Sequence, residues 1–190
     1  MASDRTKPWK AWELSALAGA CFLLGLLLPV LWHGDWERLL SAEAWRPFAS
    51  PELVPGAGRL FLEHLLEILL NNLGIAFLAS WALPLLAGRL RPWARNLPGL
   101  YVAAVSFTAG VVATPARMMG GGWFLLNTLP FAFLEVGGYV AAGLAGLEKV
   151  WRGRANPRLI ALSLLLILAG GALEAATIVL LYEPAIGGRR

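Results

Sequence analysis

Residues 123–147, with the sequence Trp123-Phe-Leu-Leu-Asn-Thr-Leu-Pro-Phe-Ala-Phe-Leu-Glu135-Val-Gly-Gly-Tyr-Val-Ala-Ala-Gly-Leu-Ala-Gly-Leu147, form an apolar stretch with one carboxylate at its centre. As an α-helix this stretch would cross the hydrocarbon core of a bilayer, for which about 20 residues are enough. A carboxylate at that depth costs about 3 kcal/mol to insert, so it must face protein or water. Glu135 therefore predicts a polar centre that other apolar segments enclose.

The composition of the whole chain indicates an integral membrane protein. The 190 residues are 58% hydrophobic and 15% charged, and the mean hydropathy is +0.64, whereas about a quarter of an ordinary globular domain is charged. The net charge of +4 does not indicate a nucleic-acid partner, because the Lys and Arg residues cluster in short segments between apolar runs. The partner that the composition predicts is the lipid bilayer, with residues 1–190 as a single transmembrane domain.

Five apolar segments predict five transmembrane helices, at about 14–32, 65–87, 97–116, 123–147 and 159–182. The connection 33–63 is the longest, and its first part, Asp35 to Trp45, is typical of a short helix lying in the membrane interface. The predicted fold class is therefore all-α, a polytopic membrane protein of five transmembrane helices with an outer interfacial helix and loop.

The distribution of basic residues predicts the orientation. With the N-terminus inside, the inner segments hold ten cations and the outer segments six, and cytoplasmic segments are the richer in Lys and Arg. We therefore expect a cell (cytoplasmic) membrane protein with a cytoplasmic N-terminus and an extracytoplasmic C-terminus. The ten inner cations are Arg5, Lys7, Lys10, Arg89, Arg91, Arg95, Lys149, Arg152, Arg154 and Arg158.

Polar residues recur inside the other predicted spans. On a helix of 100° per residue, His64, Glu67 and Asn71 share one face of the second span. The fifth span carries a second carboxylate, Glu174, on a face with Ser163, Ile167, Gly170 and Thr177. We predict a polar core open to the outside, with His64 and Glu67 at its mouth. Its members would be Glu135, Glu174, Asn71, Asn72, Asn127 and Thr177.

Three roles stay open for the two buried carboxylates: a proton relay, a cation site, or hydrogen bonding between helices. Two carboxylates in one low-dielectric site do not ionise together easily. His64 and Glu67 have the spacing of a metal-ligand pair, but a dimetal site in a helix bundle needs two such pairs. No metal and no cofactor are predicted. No Ser or Cys shares a helix face with a histidine base, so the sequence does not indicate an enzyme.

Two series of small residues at four-residue intervals predict close helix packing. Ser106, Gly110 and Thr114 form one series, and Gly138, Ala142 and Gly146 form the other. Either series could pack within one chain or between copies, so a homo-oligomer is an open alternative.

Three short motifs resemble the stage II sporulation protein M family. They are the segment containing Asn71-Asn72, the segment Leu129 to Glu135 containing Pro130, and Ala172-Leu-Glu174-Ala175 in the last span. The resemblance covers roughly residues 60–182. It implies about five membrane helices, with Asn71, Asn72, Pro130, Glu135 and Glu174 as the family's polar positions. Phe131 and Ala132 stand where the family usually has His-Gly, which argues against any histidine-dependent mechanism here.

The resemblance also implies a partner in the cell envelope, since the family's spore-forming members work with peptidoglycan-degrading proteins. The function that we expect is accordingly a membrane scaffold or permease-like subunit, which would engage an envelope or peptidoglycan-processing protein through residues 33–63 and the outward cavity. The alternative is a proton- or cation-coupled transporter or channel for a small solute that uses Glu135 and Glu174.

Overall fold

The structure is a computed structural model, and it describes residues 9–33, 56–89 and 92–182. Within these ranges the side chains of residues 29–33, 92–93, 112–127 and 182 are not described. The predicted interfacial helix at 35–45, most of the loop 33–63 and the side chain of Asn127 therefore lie outside the described residues.

The described chain consists of helices joined by turns, with no strand in these ranges, which confirms the all-α prediction. Helix α1 is Ala11–His33, α2 is Ala57–Phe77, α3 is Leu83–Ala87, α4 is Leu97–Arg152 and α5 is Pro157–Thr177. A π-helical turn at Leu78–Ala82 connects α2 to α3, a 3₁₀ turn at Pro92–Asn96 precedes α4, and a π-helical turn at Ile178–Tyr182 follows α5.

Four helical segments among the described residues are long and apolar enough to cross a membrane. They are Ala11–Leu28, Ala57–Ala87, Thr128–Arg152 and Pro157–Leu181, and they correspond to the first, second, fourth and fifth predicted spans. Of the third predicted span, only residues 97–111 have described side chains. The count of five spans stays a prediction.

The two ends of α4 lie side by side. A Cβ built on Gly143 would lie 2.7 Å from Cγ2 of Val102, and one built on Gly146 would lie 3.1 Å from Cβ of Pro98. In a straight helix Val102 and Gly143 would be about 60 Å apart. The chain must therefore reverse direction between Val111 and Thr128. We call residues 97–111 the first arm of α4 and Thr128–Arg152 the second arm.

Helix α1 packs against both arms of α4. Gly25 and Gly110 bring the backbones of α1 and the first arm into direct contact, at the carbonyl oxygens of Phe107 and Phe22. The rings of Phe22 and Phe133 lie 6.2 Å apart between centroids, which extends the contact to the second arm. Glycine is needed at this crossing because any side chain would meet the opposing backbone.

The second arm of α4 also packs against α5 and the α2–α3 segment. Gly138 faces Ser163 and Ile167 of α5, and Gly146 contacts the carbonyl oxygen of Ala79. The predicted series Gly138, Ala142 and Gly146 is thus a packing face within the chain. The π-helical turn beside it has a local cause: Pro84 has no N–H to donate, and the N–H of Leu83 bonds to Leu78, five residues earlier.

Basic side chains gather at one end of this bundle. Trp9, before α1, packs on Gly99 at the start of α4. The Arg95 guanidinium lies over the ring of Trp151 at 5.2 Å, and Nζ of Lys149 lies 3.4 Å from the ring centre of Trp81. Trp9, Arg95 and Lys149 therefore lie at the same end of the bundle.

Candidate functional site

The buried polar centre of the bundle forms where α2, the second arm of α4 and α5 meet. Asn72 comes from α2, Glu135 and Tyr139 from α4, and Glu174 from α5. Asn72 is 4% exposed and Tyr139 is 3% exposed, while both glutamates are half-buried. Glu135 and Tyr139 are four residues apart, so they project from the same face of their helix.

Asn72 connects the members of the site. Its Nδ2 donates to Oε1 of Glu135 over 2.5 Å, and its Oδ1 accepts from the hydroxyl of Tyr139 over 2.6 Å. Nδ2 of Asn71 donates a longer bond of 3.4 Å to the same Oδ1. The amide of Asn72 is thereby fixed in one orientation, with its donor on Glu135 and its acceptor on Tyr139.

The carboxyl groups of Glu135 and Glu174 lie close enough to each other to interact electrostatically. His64, on α2, is close enough to Glu174 to interact with it electrostatically. Tyr139, Asn72 and Glu135 are thus joined by a chain of hydrogen bonds, and Glu174 and His64 lie beside it. Chains of this kind hold their members in a fixed geometry and strengthen each bond through mutual polarisation.

Two consecutive glycines on α5 make room for the site. A Cβ on Gly170 would lie 2.7 Å from Cγ of Glu135, so any larger residue would displace that side chain. A Cβ on Gly171 would lie 3.2 Å from both Ile68 and Leu69 of α2. Gly170 therefore admits the glutamate of α4, and Gly171 allows α2 to approach α5 closely.

The residues that the sequence predicts as one polar core do not all meet in the structure. Asn72, Glu135 and Glu174 meet, but Asn71 is exposed and reaches the site only through its 3.4 Å bond. Thr177 is buried, and its hydroxyl donates to the carbonyl oxygen of Leu173 within its own helix. The observed cluster is therefore smaller than the predicted polar core. Asn71 reaches it only through one long bond, and a backbone carbonyl of its own helix satisfies the hydroxyl of Thr177.

His64 and Glu67, the two residues predicted at the mouth of the cavity, differ in their exposure. His64 is half-buried beside Glu174, whereas Glu67 is exposed. Their shared face on α2 is therefore turned toward the outside of the bundle, with His64 at its inner edge. No group of three or more His, Cys, Asp or Glu residues that could hold a metal ion occurs in the described part of the chain.

Tyr139 is the member of the site that the sequence reasoning missed. The available signal was its position one helical turn after Glu135, since residues four apart on a helix are neighbours. A buried tyrosine also needs a hydrogen-bond partner for its hydroxyl, and Asn72 supplies one here.

No model of a known protein family matches the sequence, and no curated protein and no solved structure is detectably similar to it. The resemblance to the stage II sporulation protein M family therefore stays a prediction.

Proposed function

We propose that this is a multi-pass membrane protein that binds a proton or a small cation between Glu135 and Glu174, and that it couples this binding to the movement of a small solute. The observation that carries the proposal is the closeness of the two carboxyl groups, which interact electrostatically. Two negative charges 4 Å apart repel by about 4 kcal/mol in a medium like that near a protein surface. A proton or a cation held between the two groups removes this repulsion.

The two glutamates are held differently, and this supports a binding role. Glu135 is fixed by the amide of Asn72, which the hydroxyl of Tyr139 fixes in turn. Glu174 lies on the other side of the pair, next to the half-buried His64. A proton or cation entering from the exposed face of α2 would therefore meet His64 and Glu174 before Glu135.

In this proposal the chain crosses the cell membrane five times, with a cytoplasmic N-terminus. The gathering of Lys10, Arg95, Lys149 and Arg152 at one end of the bundle supports this orientation, because cytoplasmic segments are enriched in Lys and Arg. Ionisable residues inside a membrane are rare and commonly mark ion or proton pathways.

The test uses the purified chain in lipid vesicles that contain a trapped pH indicator. A potassium diffusion potential is imposed, with sodium or potassium as the external cation. We expect an ion flux that depends on the protein and that is lost in Glu135→Gln and Glu174→Gln. Glu63→Gln is the matched control, since Glu63 is an exposed residue in a surface ion pair with Arg59.

Equal flux in the wild type, in the doubly substituted variant and in empty vesicles would contradict the proposal. It would favour the second candidate, a membrane scaffold that engages an envelope or peptidoglycan-processing partner. The rigid hydrogen bonding of Asn72 to both Glu135 and Tyr139 favours that candidate, because a scaffold needs a fixed polar core. A scaffold would retain its partner when Glu135 is replaced by Gln.

A further inference from the structure

A cavity of about 310 Å³ lies where the loop between α4 and α5 meets the ends of both helices. We call it the loop cavity. Its lining includes three arginines, Arg152, Arg154 and Arg158, and one carboxylate, that of Glu148. Three guanidinium groups against one carboxylate give the lining a net charge of +2. The charge and the volume together suit a small anionic group.

Hydrogen bonds fix the backbone on both sides of this loop. Gly153 ends α4 in the left-handed conformation, at a φ of 75°, and its N–H bonds to the carbonyl oxygen of Lys149. Asn156 caps α5, because its side-chain oxygen accepts from the N–H of Arg158 over 3.0 Å. Pro157 has no N–H to offer. The donors available to a ligand are therefore the guanidinium groups, not the first N–H groups of α5.

The cations around the loop cavity differ in what they already contact. Lys149 lies over a tryptophan ring, and Arg152 is paired with Glu148 over 3.2 Å. The side chains of Arg154 and Arg158 are exposed, and neither makes an ion pair or a hydrogen bond to any residue that the structure describes. Two guanidinium groups are thus available to an anionic ligand.

An exposed apolar strip on α5 runs from the loop cavity along the helix. Leu162 and Leu165 are 44% and 64% exposed, and at 100° per residue they share a face with Arg158. They lie about 6 Å and about 10 Å from Arg158 along the helix axis. The helical segments on both sides of the loop are long and apolar enough to cross a membrane. A phospholipid bound here would place its phosphate at the arginines and its acyl chains along the leucines.

We propose that the loop cavity binds the phosphate of an anionic phospholipid, with the acyl chains along Leu162 and Leu165. Guanidinium groups match phosphate oxygens in two parallel hydrogen bonds, and Arg154 and Arg158 supply them here. A free phosphate ion has the same headgroup chemistry, but it would make no use of the leucines. Basic pockets between membrane helices at the cytoplasmic side bind anionic lipid headgroups in this way.

The proposed lipid site is distinct from the carboxyl pair. Arg158 and Glu174 are 16 residues apart on α5, which corresponds to about 24 Å along the helix. Lipid binding can therefore fail without contradicting ion binding, and ion binding can fail without contradicting the lipid site.

The first measurement is a titration of the purified full chain in neutral detergent with fluorescent phosphatidylglycerol and, separately, with fluorescent phosphatidylcholine. We expect phosphatidylglycerol to bind at least about tenfold more tightly, because each cation near a lipid surface contributes about fivefold. Arg154→Gln and Arg158→Gln should each weaken phosphatidylglycerol binding by about that factor of five. Arg89→Gln is the matched control, since Arg89 is an exposed cation that does not line the cavity.

Equal affinities for the two lipids, or equal losses in Arg89→Gln and Arg158→Gln, would overturn the proposal. Sodium phosphate at constant ionic strength distinguishes the two sources of phosphate. We expect millimolar phosphate to leave the bound phosphatidylglycerol in place. Displacement at that concentration would show that the cavity binds free phosphate, and it would overturn the assignment to a lipid.

A second measurement leaves every arginine in place. Cys21, the single cysteine, is replaced by Ser, and a fluorophore is attached to Leu165→Cys or, as control, to Ala20→Cys. Ala20 is exposed and lies about 14 Å from the start of α1, while Leu165 lies about 12 Å from the start of α5. The vesicles contain equal amounts of phosphatidylglycerol and phosphatidylcholine, with bromine on the acyl chains of one lipid or the other.

We expect brominated phosphatidylglycerol to quench the label at position 165 more strongly than brominated phosphatidylcholine does. The two lipids should quench the label at position 20 equally. Equal quenching by both lipids at position 165 would show that no anionic lipid is held beside the strip, and it would overturn the proposal.

Discussion

The amide of Asn72 donates a hydrogen bond of 2.5 Å to the carboxyl group of Glu135, 63 residues later in the chain. This bond joins α2 to the second arm of α4 at the level where α5 brings in Glu174. Asn72 is 4% exposed, and its oxygen is occupied by Tyr139. The position of Glu135 therefore depends on one buried amide.

Replacing Asn72 by Leu should destabilise the protein by about 1–3 kcal/mol, because Glu135 and Tyr139 would both lose a buried partner. The neighbouring Asn71→Leu is the matched control. Asn71 is exposed and makes one long bond, so the loss should stay within about 0.5 kcal/mol. Chemical unfolding of the monomer in detergent measures both values. Equal losses would mean that Asn72 is not the residue that holds the site together.

Glu135→Gln should fold with nearly the stability of the wild type, whereas Glu135→Leu should be less stable. A glutamine can still accept the hydrogen bond from Asn72, while a leucine leaves that buried amide donor without a partner. The expected difference is about 1–3 kcal/mol. Melting temperatures of the two variants in the same detergent measure this difference in stability. Identical values would contradict a buried polar network.

Gly170→Ala should destabilise the protein by about 1–3 kcal/mol, because its methyl group would lie 2.7 Å from Cγ of Glu135 and force that side chain to move. Gly19→Ala is the control, since nothing described lies within 4 Å of the added carbon there. Alanine favours a helix over glycine by up to about 1 kcal/mol, so this control should be neutral or stabilising. Thermal unfolding distinguishes them, and a neutral Gly170→Ala would show that the site has spare room.

A disulfide should form within one chain between Val102→Cys and Gly143→Cys in a Cys21→Ser background. Cγ2 of Val102 lies 2.7 Å from the Cβ position at Gly143, which suits the Cβ separation of about 3.8 Å in disulfides. Val102→Cys with Val136→Cys is the control, because residue 136 lies about 10 Å further along the second arm. Gel mobility under oxidising conditions reports the bond. A monomer with free thiols in both pairs would refute the side-by-side arrangement of the two arms of α4.

Much of this architecture could be predicted from the sequence, because apolar length and helical periodicity are local properties. The face of α5 with Ser163, Ile167, Gly170 and Thr177 is buried as the 100° spacing predicted. The choice between Asn71 and Asn72 could not be predicted. Consecutive residues point about 100° apart, and which of the two is buried depends on how α4 and α5 pack against α2.

The contacts between the third and fourth predicted spans also could not be predicted from the sequence. The two spans follow each other in the sequence, but this does not say which of their residues meet. The contact of Gly143 with Val102 depends on the length of both arms and on the way α1 packs against them. Tyr139 was missed because its hydrogen-bond partner, Asn72, lies on another helix 67 residues earlier in the chain.

The most direct test of the central claim is infrared difference spectroscopy of the protein in lipid, with the external pH or the external cation changed and with H₂O replaced by D₂O. We predict carboxyl bands that respond to the change, that shift in D₂O, and that disappear in Glu135→Gln or Glu174→Gln. Such a result would mean that the pair binds a proton or a cation that solvent can reach. The contrary result is that the carboxyl bands respond neither to the ions nor to D₂O and do not change in either variant. The pair would then hold the helices together without contact with solvent, and it would bind neither a proton nor a cation.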